Sequence, residues 1–140
     1  MDNIAVLDSE NEDQPLKRPR EIYISAVVLF VTLIFGLLKP FIDPRFFEPY
    51  GGWIALLVVF LLTSLILGFF LYKVAKGRKW ARIVLAVITL LGLYSAYVQI
   101  VGEMDISLGL AVVSSMQAIG QVFSVLILFK PSVNEWFHSA

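Results

Sequence analysis

No cysteine occurs anywhere in the chain, and its one histidine, His138, stands close to the carboxyl end. Disulfides, thiolate metal sites and cysteine nucleophiles are therefore excluded, and zinc or haem would find almost no protein ligands. Charge is scarce as well: charged residues make up 16% of the sequence, against the usual quarter. Eleven basic residues balance eleven acidic ones, so there is no overall basic field to attract nucleic acid. The deficit is greatest in four stretches. No charged residue falls between Ile22 and Leu38, Gly51 and Tyr72, Ile83 and Val101, or Ile106 and Phe129. Acid–base catalysis needs positioned carboxylates or histidines, and these stretches offer none, so neither enzymatic activity nor a cofactor or metal is expected. Only a meeting of the loop carboxylates Asp43, Glu48, Glu103 and Asp105 would revive a membrane enzyme.

What fills the chain instead is apolar. Hydrophobic residues reach 59% of 140 positions, more than the core of a soluble domain of that size can hide. A bilayer removes the difficulty by serving as the apolar solvent. The pattern predicts an all-α membrane protein, an antiparallel four-transmembrane-helix bundle over residues 21–140. Its spans fall at about 22–38, 51–72, 80–101 and 106–129. The first run carries no small-x-small cleavage site after it, which favours a retained anchor over a signal peptide.

The segments between the runs have characters of their own. Residues 1–20 begin acidic and end basic, with no apolar period, and read as a disordered tail. Pro40, Pro44 and Pro49 argue against a continuous helix over 39–50. Lys39 can snorkel from the end of the first run. Phe41, Phe46, Phe47 and Tyr50, followed by Trp53, suit a segment lying at headgroup level; an aromatic ligand cluster is the alternative. The basic turn KVAKGRK offers Gly77 for a positive φ, and GEMD (Gly102 to Asp105) reads as a short acidic loop.

Cations set the orientation. Lys17, Arg18, Arg20, Lys73, Lys76, Arg78, Lys79, Arg82 and Lys130 fall on one side of the bilayer, and only Lys39 and Arg45 on the other. The bias predicts that both termini are cytoplasmic.

Within the spans the notable residues are neutral. Ser114, Gln117, Ala118, Gln121 and Ser124 share one helical face, and Gly92, Ser95, Ala96 and Gln99 do so on the preceding span. Small and amide residues are the usual glue between membrane helices. The alternative is a polar conduit lined by Gln99, Gln117 and Gln121, with Ser114 on the same face. At the start of the third span, GRKWAR (Gly77 to Arg82) suits an interface anchor. Trp80 would lie at the headgroups and Arg82 on lipid phosphates, and a docking site for a partner is the rival reading.

GRKWARIVL, with LFKPSVNEWF (Leu128 to Phe137) about fifty residues later, resembles an uncharacterised family of small bacterial four-helix inner-membrane proteins. Those share the glycine-basic-x-Trp-Ala-Arg start of helix three and a Ser-then-Trp-Phe close, here Ser132, Trp136 and Phe137. The resemblance implies a bacterial inner membrane and brings no known catalytic or binding residues with it; Trp136 joins Trp80 and Arg82 as a candidate interface anchor or docking residue. The reading that follows is a non-enzymatic interaction or accessory subunit. Its partners would be the lipid bilayer and a second copy or another membrane protein. The alternative is a small transporter or channel. A water-filled cavity reaching from one side to the midplane beside Gln117 would favour the second; a bundle packed shut would favour the first.

Overall fold

The computed structural model describes residues 17–139. The expected disordered tail therefore lies, up to residue 16, outside the described residues. All regular structure among the described residues is helical. Helix α1 spans Arg20–Ile42, a 3-10 segment covers Pro44–Tyr50, and α2 (Trp53–Ala75), α3 (Lys79–Ile106), α4 (Leu108–Ile127) and a short α5 (Pro131–Ser139) follow. The first four are long and apolar enough to cross a membrane. An unbroken helix is the natural state of such runs, because it satisfies every backbone donor and acceptor within its own segment.

Three helices overrun the boundaries drawn from charge, and α2 does so by passing Lys73 to end at Ala75. Helix α1 continues through Lys39 and Pro40 to Ile42, where the Asp43 N–H closes on the Lys39 carbonyl at 3.2 Å. Pro40 removes one backbone donor, but so near the helix end it does not stop the helix. Helix α3 runs through all of GEMD to Ile106, so Glu103 and Asp105 are helical rather than in a loop. The connection to α4 shrinks to Ser107, whose N–H bonds the Glu103 carbonyl at 2.8 Å. The α2–α3 turn follows the sequence expectation. Gly77 has φ of 76°, and the N–H groups of Gly77 and Arg78 bond the carbonyls of Val74 and Lys73 at 2.9 and 3.1 Å. That pair of bonds is a Schellman cap, which needs a left-handed residue at Gly77.

Helix α4 is the packing hub, in close contact with α1 along one side and α3 along the other. At Gly120 the fit to α1 is tight: a Cβ there would lie 2.6 Å from Thr32 Cγ2. Ser25 donates to the Ser124 carbonyl at 2.9 Å, which joins the start of α1 to the end of α4. Helix α2 touches α1 and α3 more sparingly. The main apolar cluster gathers at one end, where Ile22, Leu29, Leu71, Val74, Leu85 and Leu128 meet Val133 and Phe137 of α5. A smaller one, Phe46, Leu56 and Leu110, closes the other end. Outward faces remain apolar: Ile54 is 81% and Leu91 71% exposed. Such continuous exposed apolar surface is foreign to a water-soluble monomer.

Candidate functional site

Polar chemistry concentrates where α1, α3 and α4 meet below the smaller apolar cluster. Lys39, from the last turn of α1, and Glu103, from the last turn of α3, form an ion pair at 3.1 Å, each under a tenth exposed. Ser114 of α4 joins them: its hydroxyl accepts from the Lys39 ammonium and donates to Glu103 Oε2. Gln99, one turn before Glu103 on α3, donates to Oε1 at 3.0 Å. The ammonium also lies 5.3 Å from the Phe46 ring centroid. Burying two charges is costly unless each is paired and its remaining capacity hydrogen-bonded. Here both conditions hold: the carboxylate accepts three donors, from Lys39, Gln99 and Ser114.

This arrangement corrects the sequence reading on two counts. Lys39 does not snorkel outward but is 3% exposed, and among the long apolar helices there is a buried carboxylate, Glu103, at 4%. Their pairing was not legible because uncharged runs bounded the spans, which placed each charge just past an end. A signal was present. Lys39 and Glu103 carry opposite sign at corresponding ends of two spans, with Gln99 one helical turn before the carboxylate.

Beside the ion pair lies a cavity of about 490 Å³. Lys39, Gln99 and Ser114 form part of its wall, as do Gln117 and Gln121 farther along α4. Thr32 from α1, Thr63 from α2 and Ser95 from α3 add hydroxyls. Ser95 and Thr63 are exposed, so the space is partly open. Gln117 also serves packing, since its Nε2 donates to the Thr32 carbonyl of α1 at 2.6 Å. The four neutral residues singled out from sequence (Gln99, Ser114, Gln117 and Gln121) thus share one cavity.

The 3-10 segment sits over this end of the helices. Arg45 Nη2 donates to the Ile106 carbonyl at 2.8 Å and to Asp43 Oδ2 at 2.6 Å. The guanidinium holds the Asp43 carboxyl below the usual carboxylate range through hydrogen bonds from its side chain and from the Arg45 N–H.

Trp80, Arg82 and Trp136 lie at the opposite end. Trp80 is about half exposed and packs edge-on against Phe70 of α2. Arg82 does not turn outward toward phosphates. Its guanidinium is buried, donates to the Leu128 carbonyl at 3.2 Å and to Asn134 Oδ1, and lies 4.6 Å from the ring centroids of both Phe129 and Phe137. Trp136 is buried and meets Phe137 at 5.0 Å between centroids. Arg82 therefore fastens α5 and the end of α4 to the start of α3. Trp136 shares in that junction, and of the three residues Trp80 offers the most surface outward. Compared with protein-family models, curated proteins and solved structures, the chain gives no match.

Proposed function

We propose that this chain is a multi-pass protein of the bacterial inner membrane that binds or passes a small polar solute through its central cavity. The spans form an antiparallel bundle with both termini cytoplasmic. Two sets of contacts support that topology: Lys39 with Glu103 joins the ends of α1 and α3, and Arg82 with Leu128 joins the start of α3 to the end of α4. The cation-rich end is the one that holds Arg82, which supports the inward placement of the termini.

The cavity itself carries the solute reading. Helices assembled only to pack leave few voids larger than a water molecule, whereas this space, about 490 Å³, lies in the range typical of small-molecule sites. Its wall is mixed, with apolar Leu33, Val59 and Phe60 beside amides and hydroxyls from the facing helices. A handful of convergent polar groups in an apolar surround is how such sites orient a ligand. A shut bundle would have favoured an accessory subunit; an open, polar one favours a solute site.

The absence of cysteine gives a clean test. Ser95→Cys, on the cavity wall, is expected to react with a charged, membrane-impermeant thiosulfonate in membrane vesicles. Leu91→Cys, on the outward face, should react only with a lipid-soluble maleimide. Failure of the impermeant reagent to modify Ser95→Cys from either side of the membrane would overturn the solute reading.

A further inference from the structure

The Lys39–Glu103 pair stands between two cavities. Lys39 and Ser114 belong to the wall of the central one, while Glu103 belongs to the wall of a second, about 250 Å³, together with Arg45. Phe46 and Gln99 are shared by both. Of the described residues lining the central cavity, Lys39 is the only charged one. The ion pair is therefore polarised: the cation bounds the central space, and its counter-charge bounds the outer one.

We propose that Lys39 is the recognition residue of the central cavity and that its ligand is a small monoanion, a halide or a carboxylate. The ligand takes the place of Glu103 as the partner of the ammonium. The inference rests on the aqueous cavity proposed above. A buried ammonium requires a counter-charge; Glu103 supplies it from the far side of the pair, and on the side of the central cavity an anionic ligand would supply it. The surrounding hydroxyls and amides furnish neutral donors of the kind that complete an anion's shell. Glu103 is held without its lysine, because Gln99 donates to one carboxylate oxygen and Ser114 to the other. Exchange of partners on the ammonium therefore leaves the carboxylate hydrogen-bonded in place. Ser114 touches both charges and stays bonded to each while the exchange takes place.

Calorimetric titration of the full chain in detergent tests this with three probes: sodium lactate, sodium bromide and the uncharged isostere lactamide, with ionic strength held constant. Wild type is expected to bind lactate or bromide saturably and lactamide not at all. Lys39→Gln should weaken anion binding by at least about tenfold, and Lys39→Arg should retain it. Glu103→Gln leaves the ammonium without its resident partner, so it should bind anion at least about tenfold tighter and melt at a higher temperature when anion is added. A purely structural pair predicts that Lys39→Gln and Glu103→Gln both melt lower and that neither responds to anion, a result that would overturn the proposal. Equal binding of lactate and lactamide would overturn it too, as would silence of all three probes with wild type and Glu103→Gln alike. If Ser95→Cys nevertheless reacts with the impermeant reagent, the cavity stands and only its anionic ligand falls.

Discussion

Arg82 keeps a charge where a membrane helix would ordinarily shed one, and the reason is local geometry. Its planar guanidinium fits between the Phe129 and Phe137 rings while its edge reaches the Leu128 carbonyl and Asn134. Carbonyls at a helix end lack intrahelical partners, and a cation there is favoured both by hydrogen bonding and by the helix dipole. Lysine cannot reproduce this, having neither the flat face nor the fork. Arg82→Gln is expected to lower stability by about 2 kcal/mol, the scale of hydrogen bonds to a charged group. Arg82→Lys should recover only part of that loss. Unfolding in detergent titrated with sodium dodecyl sulfate would measure both. An unchanged midpoint for Arg82→Gln, with only the inserted yield reduced, would return Arg82 to the role of a lipid anchor. The sequence could show that an arginine sat one turn into a span. It could not show that Phe137, more than fifty positions away, folds back to cover it.

At the scale of elements, hydropathy made the four long helices legible, because a bilayer-length apolar run has little alternative to a helix. Their ends were not legible, since a charge was read as a boundary. Helix α1 passes Lys39 and α3 passes Glu103 because each charge lowers the cost of burying the other, while the backbone bonds continue on either side. The Asp43–Arg45 latch illustrates the same dependence between neighbours in the open. Asp43 titrates below an ordinary carboxyl, so the latch adds stability that is fully present above that ordinary value, near pH 4. The contribution is lost as pH falls through the lowered value. Carboxyl NMR of labelled Asp43 should give a midpoint below about 4 that returns to the ordinary range in Arg45→Gln. An unshifted midpoint in the native chain would show that the latch does not hold in solution.

For the whole molecule the proposed orientation has a direct check. Lys76→Cys in the basic turn is expected to resist an impermeant thiol reagent in intact cells, and Glu48→Cys in the 3-10 segment to react. The reverse pattern would invert the molecule. The helices also differ in length, with 28 residues in α3 against 20 in α4. At 1.5 Å per residue these reach roughly 42 and 30 Å, while the hydrocarbon core is about 30 Å thick. The ion pair lies near one end of the helices, Lys39 in the last turn of α1 and Glu103 in the last turn of α3. In the membrane placement proposed above, bilayer thickness becomes a variable of the site. In short-chain lipid the ion pair stands at the polar boundary, where water helps to solvate it. In long-chain lipid the same pair is drawn into hydrocarbon, and the mismatch must be met by tilting α3 or thinning the membrane, at a fraction of a kcal/mol per ångström. Reconstitution in phosphatidylcholines of increasing acyl length should therefore lower thermal stability progressively in the native chain. The decline should be shallower in Lys39→Met/Glu103→Leu, which has no charges to submerge. Identical slopes for the two would mean that membrane depth leaves the pair unaffected.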